Sequence, residues 1–173
     1  LVGFASVDAA VRAALDLRAF EPVGCDLLDR RLLSLSKHEG AAAAGAALVV
    51  AFEADTEREA GERAWGAVER LREAHRLAVL IDPATDPDGA ARVRAVRQAA
   101  VAGLYGLGAG PRPVPFVEDV GVPPEVLPEF LAKATDILRR FDLTGSVLAH
   151  ATTGQAHVRP LVDLDDPADR AAY

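Results

Sequence analysis

The chain has 173 residues, 50% of them apolar and 26% charged, with a formal net charge of -7 and an isoelectric point near 5.1. That is enough chain to bury a core, in one globular unit or in two small subdomains sharing a sheet. The acidic balance argues against a nucleic-acid or anionic-membrane surface, which needs clustered Lys and Arg to neutralise phosphates, and points to small-molecule or protein partners.

Residues 1–5 are a short apolar run. Ser6 then caps a helix whose Val7, Ala10, Val11, Ala14 and Leu15 repeat at helical spacing until Pro22 stops it. An extended piece starts at Val23, residues 28–35 read as a second helix, and residues 39–45, rich in Ala and Gly, suit a loose connection. Residues 46–52 form a nearly continuous apolar strand. Thr56 and Glu59 make a capping box for a helix running toward His75, with Ala60, Ala64, Val68 and Leu71 on its buried face. A second strand is expected at residues 77–81, stopped by Asp82 and Pro83, followed by a helix over residues 87–104 that carries Arg92, Arg94 and Arg97.

The next unit repeats the plan, with a strand at residues 114–120 and a helix opened by Pro123 and Pro124. Its Leu127, Phe130, Leu131, Ala134, Leu138 and Phe141 fall at helical spacing. Glu125 lies in the first turn and Arg139 and Arg140 in the last, as the helix dipole favours. Residues 146–150 and 156–161 are two extended segments joined by a tight Thr152-Thr153-Gly154-Gln155 turn. The pattern predicts an α+β fold of ferredoxin-like units, an antiparallel or mixed sheet with helices packed on one face. A doubly wound parallel sheet is the runner-up, disfavoured because no Gly-rich turn follows any strand.

Cys25 has no disulfide or Cys-x-x-Cys partner and reads as a core thiol in a reducing compartment, so a cytoplasmic location is expected, with peripheral attachment at the inner membrane face as an option. No apolar run spans a bilayer, since residues 41–54 are interrupted by Gly45 and Glu53. The chain starts at Leu1 without methionine and ends in what reads as a helix just beginning, so it is expected to be a piece of a longer protein.

The chemistry concentrates at His150 and His157. With a two-residue turn centred on Thr153 and Gly154, these histidines face each other across the ladder, with Cβ atoms roughly 4.5–5.5 Å apart. Two imidazoles so placed can share a divalent metal, zinc for example, although a catalytic site also needs a third protein ligand and an open position. The plainer reading is one satisfied sheet histidine and one solvated. Arg92 and Arg94 read as a solvated helix face, Trp65 as packing, and His38 and His75 as residues without partners nearby in sequence. Glu118 and Asp119, adjacent on a strand, should point to opposite faces and so not act together.

The run Ala149-His150-Ala151-Thr152-Thr153-Gly154-Gln155-Ala156-His157-Val158-Arg159-Pro160 resembles the Gly-His-x-Gly-Asp-Gly-Asn-x-His-x-Arg-Pro segment of the FAD-linked oxidase C-terminal domain. That domain occurs in D-lactate dehydrogenases, the glycolate oxidase flavoprotein subunit and D-2-hydroxyglutarate dehydrogenases. The resemblance extends to Glu118-Asp119-Val120-Gly121-Val122-Pro123, similar to the family's Glu-Asp-Val-x-Val-Pro entry into a helix, to Val96-Arg97-Gln98-Ala99, similar to its Trp-x-x-Arg helix, and to Leu1-Val2-Gly3-Phe4 at the domain start.

This resemblance implies that His150 and His157 are catalytic ligands of a divalent metal, zinc or manganese, that grips the substrate's carboxylate and 2-hydroxyl. It implies that Arg97 contacts the substrate carboxylate and that Gln155 stands beside the substrate. Thr152 and Thr153 replace the family's Gly-Asp, and Ala149 its Gly. Where 2-hydroxyglutarate-type relatives are expected to carry Thr and Lys, this chain has Val101 and Val117.

The implied function is the substrate-binding cap domain, residues 1–173, of an FAD-dependent 2-hydroxyacid dehydrogenase of D-lactate or glycolate type, inactive alone. The FAD would be held by a flavin-binding domain upstream of Leu1, the acidic third metal ligand would lie beyond Tyr173, and an iron–sulfur electron acceptor is a further expected partner. The alternative is a stand-alone ferredoxin-like ligand-binding or regulatory module without redox activity. A third possibility is a metal-binding or interaction domain that uses the two histidines alone.

Overall fold

The computed structural model describes residues 1–39, 43–75, 82–108 and 110–172. The strand expected at residues 77–81 lies outside the described residues. The described elements run β1 (Val2–Phe4), α1 (Val7–Leu17), β2 (Gly24–Asp29), α2 (Arg30–Leu35), β3 (Ala46–Ala51), α3 (Glu57–Ala74), α4 (Pro87–Tyr105), β4 (Arg112–Pro113), β5 (Val117–Gly121), α5 (Leu127–Arg140), β6 (Thr144–His150), β7 (Gln155–Val162) and α6 (Pro167–Ala172).

Local chemistry sets the helix starts. The Ser6 hydroxyl accepts from the Ala9 amide at 3.2 Å and Thr56 from the Glu59 amide at 3.2 Å. Asp86 caps α4 ahead of Pro87 through the Gly89 amide at 2.6 Å. Each satisfies an amide that the first helical turn leaves without a partner.

Among the described residues the strands form one seven-stranded antiparallel sheet in the order β1-β3-β2-β6-β7-β4, with β5 also paired to β7. The fold is α+β, and the doubly wound parallel alternative is excluded by the antiparallel pairing of every described strand. The expected helical layer on one face is present. Phe4, Leu27, Leu48, Ala149, Ala156 and Val158 pack against α1 and α5, with Ala67 and Leu71 of α3 at the margin.

The sheet also carries a second layer, which the sequence pattern did not show. Leu28, Ala47, Val49, Leu148 and Leu161 project to the opposite face and pack under Leu32 and Leu33 of α2 and Val93, Val96, Ala100 and Leu104 of α4. Central strands that are apolar at successive positions need cover on both sides. Each fully buried Leu or Phe contributes about 1.5–3 kcal/mol.

Three boundaries differ from those the sequence suggests. Residues 28 and 29 belong to β2, where Leu28 pairs with Ala47 and Leu148, and α2 starts only after Asp29. The strand expected at residues 114–120 begins at Val117, because Pro115 has no amide to give a ladder and the Val114 amide donates to the Pro160 carbonyl at 2.9 Å. The fifth helix starts at Leu127, after a turn closed by the Val126 amide on the Pro123 carbonyl at 2.8 Å.

Asp29 fastens α2, in the second helical layer, to strand β6 of the sheet. One carboxylate oxygen accepts the Leu32 amide at 2.9 Å, capping α2, and the other accepts the Val147 amide of β6 at 2.6 Å. Burial pushes its pKa up to about 6, against the opposing pull of those amides. The folded state therefore favours the protonated carboxyl. Asp29 stabilises the fold most below its unfolded pKa, and this advantage is lost as pH rises through about 6. We expect the stability difference between wild type and Asp29→Ser to shrink by roughly 2–3 kcal/mol between pH 3.5 and pH 7. Urea unfolding of both proteins at the two pH values checks this, and a difference that grows with pH contradicts it.

Candidate active site

The site is built on the face that carries α2 and α4, from β2, β5, β6, β7 and one residue of α4. The loop between β6 and β7 is longer than the two-residue turn expected. His150 pairs with Gln155 and Leu148 with His157, which leaves residues 151–154 as a four-residue loop. The Thr153 and Gly154 amides both donate to the His150 carbonyl, at 3.1 and 2.9 Å. Gly154 sits at φ +82°, and a Cβ there would lie 1.9 Å from the Val122 carbonyl oxygen, so only glycine lets the loop close on the β5–α5 connection.

His150 and His157 are consequently diagonal neighbours, not direct partners. The sequence-level register is off by two residues, a shift that moves the partners but keeps every side chain on its own face. The two rings still meet, with centroids 5.5 Å apart and planes at 86°.

Each ring is held by a carboxylate that also holds an arginine. His150 Nδ1 lies 2.6 Å from Asp26 Oδ1, and Arg97 Nε from α4 donates to Asp26 Oδ2. His157 Nδ1 lies 2.7 Å from Glu118 Oε2, while Arg159 donates to Glu118 through Nε at 2.6 Å and Nη2 at 3.0 Å. The result is two arginine–carboxylate–histidine clamps side by side. In both, Nδ1 faces the carboxylate, and an Nδ1–H donated there puts the lone pair of the neutral ring on Nε2, where a ligand or a proton can take it. Burial alone would raise the Glu118 pKa, but hydrogen bonds from Arg159 and His157 outweigh it and hold the carboxyl below the ordinary glutamate range. The Arg159 guanidinium also lies over Tyr105, 5.7 Å from the ring centroid.

The expectation that Glu118 and Asp119 diverge is overturned. The β5–β7 register shifts between Val117 and Val120, and Asp119 takes a left-handed backbone with φ 54°. This bulge breaks the strand's two-residue period. Asp119 Oδ1 then lies 3.7 Å from His157 Nδ1 and accepts the Gln155 amide at 2.9 Å, so Gln155 is anchored beside the histidines.

Asp26 and Glu118 are the site residues that local sequence reasoning missed. For Glu118 the signal was the Glu-Asp-Val motif; nothing local marked Asp26, which reaches His150 from 124 positions away. Other candidates settle elsewhere. Cys25 faces the opposite core, and burial, aided by the Asp26 charge, pushes its thiol up to about 12, leaving it inert. His75 does have a partner, Asp16 at 3.1 Å. Trp65 is 43% exposed, with the Arg72 guanidinium 5.6 Å from its ring centroid, rather than packed. Arg92 is solvated and only loosely paired with Asp82 at 3.8 Å.

An α+β sheet carrying two carboxylate-held histidines beside an arginine suits a domain that binds a small anionic substrate. Over residues 1–173 the chain matches the family described as FAD linked oxidases, C-terminal domain, and it belongs to that family. Its relatives include D-2-hydroxyglutarate dehydrogenase of Pantoea ananatis (strain AJ13355), 40% identical over 83 residues, which are 47% of this chain and 8% of that protein. The D-2-hydroxyglutarate dehydrogenase of Escherichia coli (strain K12) is 40% identical over 80 residues, 46% of this chain and 8% of that protein. That of Haemophilus influenzae (strain ATCC 51907 / DSM 11121 / KW20 / Rd) is 41% identical over 76 residues, 43% of this chain and 7% of that protein. The matched segments are thus a small part of each relative's length.

Glu118→Gln tests the second clamp. An amide offers one acceptor where Arg159 and His157 need two, so we expect a loss of about 1–3 kcal/mol in unfolding free energy. Equilibrium unfolding measures it, and a change within 0.5 kcal/mol, about the spread of neutral surface substitutions, would show that the clamp contributes nothing.

Proposed function

We propose that this chain is the substrate-binding domain of an FAD-dependent oxidoreductase that oxidises a 2-hydroxy acid to a 2-oxo acid. The observation that carries the reading is the paired histidines, each with Nδ1 on a carboxylate and Nε2 left over, next to an arginine with guanidinium donors to spare. Family membership and the relatives' names support the same class of reaction. The flavin-binding domain upstream of Leu1 and an iron–sulfur electron acceptor belong to the proposal as partners. No described helix is long and apolar enough to cross a membrane.

The residues divide the work. Arg97 spends Nε on Asp26 and keeps four N–H donors on its two terminal nitrogens, enough to take a substrate carboxylate in a fork. His150 and His157 turn Nε2 toward the 2-hydroxyl, and a ring whose Nε2 carries no cation can accept its proton, while a ring that ligates a cation acts by holding it. Gln155, tethered to Asp119, closes the site with an amide. A histidine whose Nδ1 rests on a carboxylate is the usual form of a metal ligand, so the pair fits a divalent cation. Among the described residues no group of three or more His, Cys, Asp or Glu side chains is placed to hold one, and a third ligand from beyond Tyr173 completes the proposal. When bound, zinc or manganese supplies Lewis acidity toward the hydroxyl and the flavin supplies the hydride acceptor.

We assign the substrate to the short acids of D-lactate or glycolate type. Val101 packs on the core beneath α4 and Val117 on the opposite core, so neither offers a cation for a second carboxylate. The relatives' names favour D-2-hydroxyglutarate as the second reading. Production of the full-length protein should give a flavin spectrum that bleaches anaerobically with a 2-hydroxy acid, and kcat/KM for D-lactate, glycolate and D-2-hydroxyglutarate ranks the two readings. A colourless protein, or a flavoprotein inert to all three, sinks the proposal in favour of a ligand-binding module without redox activity. His150→Ala and His157→Ala should each lower kcat/KM by about 100-fold or more with flavin content unchanged. Arg97→Lys should raise KM about tenfold, because the fork is lost while the charge remains.

A further inference from the structure

We propose that Asp26 is the positioning residue of this site, a single carboxylate that sets the His150 tautomer with one oxygen and the Arg97 guanidinium with the other. The inference deepens the reading above and rests on it for the roles of Arg97 and His150. Asp26 stands directly opposite His150 in the β2–β6 ladder, and its side chain is 16% exposed. Oδ1 meets His150 Nδ1 at 2.6 Å and Oδ2 takes Arg97 Nε. One side chain therefore fixes both the ring that handles the hydroxyl and the guanidinium that anchors the carboxylate.

The Glu118 clamp does not do the same. Arg159 commits its Nε–Nη2 edge to Glu118 and its side chain is only 14% exposed, so the rest of the guanidinium is largely shielded from a ligand. Arg97 gives Asp26 only Nε, and its side chain is 39% exposed. The first clamp faces outward and the second braces it.

The chemistry of asparagine makes this testable. Asp26→Asn offers one acceptor and one NH2 group to two donors. With its oxygen toward His150 it sets NH2 against Arg97 Nε–H and displaces the guanidinium. With its oxygen toward Arg97 it turns NH2 toward His150 Nδ1, which moves the ring proton to Nε2 and removes the lone pair there. Either orientation loses one of the two tasks.

Nitrogen-15 NMR of the chain, recorded at a pH where the His150 ring signals show the neutral form, reads this without any turnover. In the wild type His150 should carry its proton on Nδ1; a wild-type ring protonated on Nε2 overturns the proposal with no variant needed. Asp26→Asn should either move that proton to Nε2 or shift the Arg97 Nε–H signal, and no change in either overturns it.

In the full-length flavoprotein, Asp26→Asn should lower kcat/KM roughly 10–100-fold, the range of carboxylates that orient ligand histidines. Asp26→Glu should recover part of this loss. The rise in KM should vanish in an Arg97→Lys background. Full additivity of the two KM effects, with the fold intact, counts against a role exerted through Arg97. A parent protein inert to every 2-hydroxy acid defeats the functional reading instead, and the tautomer result then decides Asp26 independently.

Discussion

Antiparallel pairing of β2, β6 and β7 is the constraint on which the rest of the molecule depends. Side chains alternate faces along a strand, so slipping β7 by one residue would send His157 and Arg159 into the core beneath α1 and α5, and bring Ala156 and Val158 out among the charges. The four-residue loop and the left-handed Gly154 hold that register from one end. The Ala151 amide on the Cys25 carbonyl, at 2.8 Å, ties the same loop back to β2.

Burying charge beside an apolar sheet costs free energy unless the charges are paired. The two clamps meet this condition locally, because each sets one carboxylate against one guanidinium. Hydrogen bonds to charged groups contribute about 1.5–3 kcal/mol each, more than neutral ones, so the clamps both stabilise the sheet and orient the rings. Positioning and stability are served by the same contacts. Substitutions at Asp26 or Glu118 therefore need a readout of geometry as well as of folding.

Asp29 extends the same logic to the scaffold. Its carboxylate caps α2 and receives an amide from β6, so the helix that covers the second face is fastened to the strand that carries His150. The apolar layer of α2 and α4 then brings Arg97 over Asp26. Packing on one face and charge placement on the same face are linked through a helix of 19 residues, α4, whose buried Val93, Val96, Ala100 and Leu104 set its rotation.

Much of this was legible from local pattern. Ser6, Thr56 and the Asp86-Pro87 pair mark helix starts because capping needs only neighbours in sequence. The apolar runs at β3 and in the β6–β7 segments mark strands, and a seven-residue spacing places His150 and His157 on one face in either of the two registers considered. The left-handed Asp119 and the pairing of Arg97 with Asp26, 71 positions apart, had no local signature. A bulge appears only when two strands are laid together, and a carboxylate on one face of a strand is just another polar residue until the sheet forms. The sequence by itself determined the element types, the two histidines and their shared face, because these follow from periodicity and capping over a few residues. Only the tertiary structure decided their register, their carboxylate partners and the second helical layer, because those depend on contacts between segments far apart in the chain.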